Sequence, residues 1–228
     1  MKNLFNYENK FMELLMTIGD LIILNLLFLL CCLPVVTIGA AQAGLYTGLR
    51  VLADKEDDSS PTAAFFRGFG NGFGKITIAY CIMLVLIALV GYSAASVVFY
   101  DMNGVSAPVW VSVVGLYISA LFQTVISIFH SRFSCTVGQL FRNAWLLYLA
   151  HPLRCTLITI LTWLPILVFL IDLQVFILAT PVMLAIYFSF AALLCNSLMK
   201  KPFADLIQIY NEKNAPEPDT QESAQTEE

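Results

Sequence analysis

Residues 14–52 read LLMTIGDLIILNLLFLLCCLPVVTIGAAQAGLYTGLRVL, two apolar runs meeting at Leu33-Pro34, and the fold turns on whether both cross a membrane. The first, Leu14 to Leu33, is broken only by Asp20 and Asn25. A helix rising 1.5 Å per residue needs about 20 residues to span a hydrocarbon layer of about 30 Å, so this run suffices. The second, Val35 to Leu52, is free of charge as far as Arg50, but Gly39, Gln42, Gly44 and Gly48 lower its helix propensity and its hydropathy. Four further runs are unambiguous: Ile76 to Phe99, Val109 to Phe129, Leu153 to Ile171 and Val175 to Leu198. The expected fold is therefore all-α and integral to a membrane. It is a bundle of about six transmembrane helices, or five if Val35 to Leu52 is re-entrant, with short interfacial amphipathic helices.

Composition agrees. Of 228 residues, 59% are hydrophobic and 12% charged, against about 25% charged in soluble domains. Six acids lie in the last seventeen positions (Glu212, Glu217, Asp219, Glu222, Glu227, Glu228), so the net charge of -4 reflects a tail more than a surface. Residues 1–212 read as the transmembrane domain, and 213–228 as an acidic, disordered C-terminal tail. No basic cluster interleaves with aromatics, which argues against a nucleic-acid partner. Cys31, Cys32, Cys81, Cys135, Cys155 and Cys195 sit in or beside apolar runs and read as reduced core residues.

The basic residues orient the chain. If Val35 to Leu52 crosses, Lys2, Lys10, Arg50, Lys55, Arg67, Lys75, Arg132, Arg142, Arg154, Lys200, Lys201 and Lys213 all fall on one face. The other face receives only the turns Pro34 to Thr37, Tyr100 to Pro108 and Asp172 to Gln174, which contain no Lys or Arg. Short loops rich in these residues stay cytoplasmic, so six spans in the cell membrane with both termini inside is preferred. A signal-peptide reading of the first run, with Ala41-Gln42-Ala43 as a cleavage site, fits less well because Glu8 and Glu13 precede it and more spans follow.

The segments Leu4-Phe5-Asn6, Phe65-Phe66-Arg67 and Leu140-Phe141-Arg142-Asn143 each open a mixed stretch ahead of two spans. This suggests three copies of an interfacial helix plus a hairpin, or two copies and a divergent first unit. Ser60 is suited to cap the second such helix, with Pro61 at its first position. Phe65, Phe66, Phe69 and Phe73 form an aromatic face that suits the headgroup boundary. Gly68, Gly70, Gly72 and Gly74 shorten that helix or loosen it toward Lys75. Their spacing is not that of a phosphate loop, and close approach to a neighbouring helix explains such glycines better.

Candidate functional residues are few. Asp20 is the acid placed within a span, as a proton relay or cation ligand, or else as a solvated interfacial group. Asn25 and Gln42 are more deeply placed amides that hold helices together or, with Asp20 and Gln123, line a midplane transport site. His130 and His151, near Gln139 and Asn143, lack a carboxylate or thiol at ligand spacing, so satisfied interfacial histidines are favoured over a metal. No nucleophile-and-base arrangement appears and no cofactor is implied. An enzyme is the least supported class.

The run Asn25-Leu26-Leu27-Phe28-Leu29-Leu30-Cys31-Cys32-Leu33-Pro34-Val35-Val36-Thr37-Ile38-Gly39-Ala40-Ala41, with Tyr46 behind it, resembles the hallmark of the YesL family. These are small multipass membrane proteins of Gram-positive bacteria whose function is unknown. The resemblance implies an accessory or scaffolding role in carbohydrate uptake or sensing, beside an ABC-type sugar transporter or a sensor kinase. In its own terms the motif is a hairpin turn: Pro34 ends one helix, Thr37 is suited to cap the next, and Gly39 lets the two helices meet. The leading expectation is an interaction protein, embedded in the bilayer, that docks its partner around Phe66, Arg67, Phe141 and Arg142. The alternative is a small secondary transporter.

Overall fold

A computed structural model describes residues 2–54, 59–100, 107–133 and 136–213. Lys55 and most of its acidic loop, Cys135 and the tail from residue 214 lie outside them, as do the side chains of Lys2, Lys10 and Lys213. The described chain is helical throughout: α1 (Lys2–Cys31), α2 (Ile38–Asp54), α3 (Pro61–Gly70), α4 (Phe73–Tyr100), α5 (Ala107–His130), α6 (Val137–Ala150), α7 (Pro152–Ile171), α8 (Leu173–Val182) and α9 (Phe188–Lys213). A π-helical segment, Met183–Tyr187, joins α8 to α9 without a turn. Six stretches are long and apolar enough to cross a membrane: Phe11–Cys31, Val35–Ala53, Phe73–Ser93, Val111–His130, Pro152–Ile171 and Leu173–Gln208. The fold is an all-α membrane bundle.

The doubtful second run is its central post. α2 is one continuous helix from the Pro34 turn, and its last residues share a cavity with Thr17 at the start of the α1 span. A re-entrant segment would turn back before that level, so α1 and α2 form a full-length hairpin. The low hydropathy of α2 has a physical reason: 61% of its span is buried against protein, compared with 22% for the α1, α4 and α7 spans. A helix shielded from lipid needs small and polar residues for packing rather than an oily surface. Leu14, Ile78, Leu89, Leu153 and Leu178 on the outer helices supply that surface, and they are exposed from the protein.

The turn between α1 and α2 is a short 3-10 segment, Val35–Thr37. Thr37 acts on the helix behind it: its hydroxyl donates to the carbonyls of Cys31 (2.5 Å) and Pro34 (2.7 Å), which closes the α1 C-terminus instead of capping α2. Thr37→Val is expected to cost about 1 kcal/mol of stability, read as a lowered thermal midpoint in detergent. Gly39 also differs from expectation. A Cβ there would lie 2.8 Å from Tyr80 Cβ, so its close contact is with α4 and not with α1.

Ser60 caps α3 as expected, its hydroxyl accepting from Ala63 N (3.3 Å) with Pro61 at the first position. The aromatic face is divided, however: Phe66 and Phe73 are exposed, whereas Phe65 is buried. Ala64, Phe65 and Gly68 are buried, and α3 packs against α2 so closely that a Cβ on Gly44 or Gly48 would stand 2.8 Å from the carbonyl oxygens of Phe65 and Pro61. The four-residue spacing of Gly44 and Gly48 is the small-residue signature of close helix contact, and it pulls α3 inward. Gly68 meets Thr47 in the same seam, whereas Gly70 and Gly74 face open space. Gly72 has φ +68°, a left-handed turn that starts α4 and brings it beside His130.

The order of short helix then hairpin recurs in α3–α4–α5 and in α6–α7 with the final composite span. Leu4, Phe5 and Asn6 belong to the continuous α1, so the first unit is the divergent one. α6 opens with a side-chain cap in which Gln139 Oε1 accepts from Thr136 N (3.0 Å).

Candidate functional site

Several polar residues inside the bundle tie helices together. Asn25 is fully buried on α1, and its Nδ2 donates to the carbonyls of Leu184 (2.7 Å) and Met183 (3.4 Å) in the π segment, while its Oδ1 accepts from Ser189 N (3.1 Å). A π turn widens the helix by one residue and disturbs its carbonyl ladder, and the Asn25 amide bonds both faces of that disturbance. Gln42 Oε1 accepts from Ser127 (2.9 Å), which joins α2 to α5. Asn196 Nδ2 donates to Tyr46 O (3.0 Å), which joins α9 to α2. Trp163 Nε1 donates to Thr124 (3.2 Å) between α7 and α5.

These residues enclose little space. The cavity beside Gln42 and Tyr46 measures about 20 Å³, and that beside Gln123, Tyr80 and Ser127 about 10 Å³, room for about one water each. Asp20, half-buried on α1, lines neither. The four candidates for a transport site are therefore not brought to one chamber.

The polar concavity lies at one end of the bundle instead. Thr47 and Arg50 near the end of α2, Arg67 and Gly68 of α3, Asn71 of the following turn, and His130 through Phe133 at the end of α5 line a cleft of about 140 Å³. The tight α2–α3 seam sets Arg67 opposite Arg50. Arg50 Nη1 donates to Ser131 O (3.4 Å), a favourable place for a cation because the carbonyls at a helix C-terminus carry partial negative charge. Arg132 lies over the ring of Phe203, 4.7 Å from its centroid, which fixes it against α9. His130 is 5% exposed, and its Nε2 donates to Asn71 O (2.9 Å). That bond leaves Nδ1 as the second ring nitrogen, buried and without a hydrogen-bond partner. None of the described residues lining the cleft is acidic.

The remaining candidates are placed as follows. Phe66 is 54% exposed beside the cleft, Arg142 is exposed on α6, and Phe141 is half-buried against Phe122. His151 lies apart from His130, in an apolar groove of about 720 Å³ lined also by Leu147, Pro202 and Leu206. Among the described residues no three His, Cys, Asp or Glu side chains gather as metal ligands would. The cleft was not legible as a site, because its arginines come from three separate segments and carry no common spacing. In the sequence Arg67 stands out only as a surface contact and His130 only as half of a histidine pair.

Residues 21–94 match the model of a family described as a protein of unknown function, DUF624. The match covers about a third of the chain, and it contains the Asn25 to Ala41 hairpin and the α2 and α3 walls of the cleft. No curated protein and no solved structure matches the chain.

Proposed function

We propose that the chain is a non-catalytic accessory or scaffolding protein of the cell membrane that docks a partner complex through its basic end. One observation carries this reading: the amides of Asn25, Gln42 and Asn196 are engaged in helix-to-helix bonds within the bundle, while Arg50, Arg67, Arg132 and Lys200 line adjoining concavities at one end. By the positive-inside rule that end faces the cytoplasm, with both termini on the same side. The link to carbohydrate uptake or sensing, through an ABC-type transporter or a sensor kinase, rests on the YesL resemblance. Phe66 and Arg142 present the exposed aromatic and cationic groups that a docked subunit would meet.

A photo-crosslinking residue at Phe66 or Arg142, activated in native membranes, is expected to give adducts with one defined membrane-complex subunit. A chain that yields only lipid adducts from both positions overturns the docking reading. The transport alternative draws on the π segment, since a disturbed helix in a span is a recurring feature of solute sites. Uptake of a sugar or ion by reconstituted vesicles, abolished by Asp20→Asn, would establish it. The expected result is no uptake with either chain.

A further inference from the structure

We propose that residues 166–182 form a rigid hairpin tip that swings against the bundle on paired hinges, at Pro165 and at the π segment, and that the hydroxyl of Tyr187 latches it. Proline has no N–H, so Pro165 cannot donate to the carbonyl of Leu161, and the α7 ladder is broken at that level. Pro181 does the same to the carbonyl of Ile177 just ahead of the π turn, which itself widens the last span. Sharp bends in helices occur at proline and at π bulges. Burial divides at the same two places: Pro165 and Met183 are buried, whereas none of residues 166–182 between them is. Leu170, Ile171 and Leu178 are 72%, 84% and 82% exposed, and the main neighbours of α8 are α7 and the π segment. Segments with few buried contacts are those that move most readily.

The tip moves as one body because it is closed on itself. At its turn the Asp172 carboxylate accepts from Gln174 N (2.8 Å) and Val175 N (3.4 Å), and the rings of Phe169 and Phe176 meet edge to face across the hairpin, 5.2 Å between centroids. Its pivot is fixed by Asn25, which ties the π segment to α1. The latch is an independent observation. Tyr187 Oη donates to Leu161 O (2.6 Å), the carbonyl that Pro165 leaves without a helical donor. One hydroxyl thus joins the two hinge points, and its bond can open without breaking either helix. Tyr187 also walls the cavity beside Gln42 and Tyr46, so release of the latch reaches the centre of the bundle. The device depends on neither the docking reading nor the transport alternative.

The test uses the full chain in lipid nanodiscs, with genetically encoded spin labels so that the native cysteines are kept. Distance distributions are measured for two pairs that share one label at Ile82 on α4, the other label being at Leu178 in the tip or at Leu157 on α7 ahead of Pro165. All three positions are exposed from the protein. The Leu178 pair is expected to give a wider distribution than the Leu157 pair. Tyr187→Phe removes the latch with little change in volume, and it is expected to make the Leu178 distribution about twice as wide or to enlarge a second population. Pro165→Ala returns a donor to Leu161 O and is expected to narrow it. A Leu178 pair that Tyr187→Phe leaves as narrow as the Leu157 pair overturns the proposal, as does a width that this substitution does not alter. Where Tyr187→Phe also widens the Leu157 pair, the bundle itself has loosened and Pro165→Ala decides: a narrowed Leu178 pair supports the hinge, and an unchanged one overturns it.

Discussion

Asn25→Leu is expected to destabilise the chain by about 1–3 kcal/mol, seen as a lowered thermal midpoint in detergent or a higher rate of unfolding. The substitution is close in volume and more apolar, so a contribution from hydrophobicity alone predicts no loss. The loss arises because the carbonyls of Met183 and Leu184 and the amide of Ser189 lose their partner in a region that water does not reach. Asn25→Asp keeps an acceptor for Ser189 N but removes the donor, and it adds a charge to a fully buried position. It should therefore be at least as damaging. If Asn25→Leu were as stable as the parent, the bonds to the π segment would not be what holds α1 to the last span.

The second large effect is expected from Gly44→Ala combined with Gly48→Ala. Each new Cβ would stand 2.8 Å from a carbonyl oxygen of α3, a backbone atom that cannot rotate away. Overpacking of this kind costs about 1–3 kcal/mol per site. The pair is expected either to unfold the chain or to push α3 off α2 and carry Arg67 away from Arg50. Cysteines in place of Arg50 and Arg67, which line the same cleft, provide the readout: their bridging by a short bifunctional reagent should be lost in the double alanine variant and kept without it. An unchanged seam would show that α3 is held by contacts other than the glycine face.

Much of the architecture was legible because lipid imposes a simple rule. Leu153 to Ile171 and Val109 to Phe129 were placed within two residues of the helices that contain them, since a spanning helix must be apolar for its full length. The apolar run of the last span ends at Leu198, yet α9 continues to Lys213. Lys200 and Lys201 end the apolar run but not the helix, which goes on because Phe203 is buried against Phe129 and Phe133. That contact joins residues about seventy positions apart and leaves no local pattern. The π segment likewise has no signature beyond Pro181 just ahead of it. Asn25 was readable as a helix tie, but its partner was not, because hydrophobic periodicity says nothing about which carbonyls a wide turn leaves in need of a donor. The cleft is the extreme case: its residues become neighbours only after three helices have packed.

The burial of α2 has a consequence for how the protein is made. With a mean hydropathy of 1.2, compared with 1.9 to 2.4 for the other spans, this helix has the least tendency to partition into lipid unaided. Yet α5 and α9, which shield much of it, are synthesised later. The nascent chain must therefore keep its second span beside the insertion machinery, or held by α1, α3 and α4, until more than half of the polypeptide has emerged. The helix at the centre of the finished bundle is thus fastened early to α3 but fully enclosed only late, when α9 has emerged.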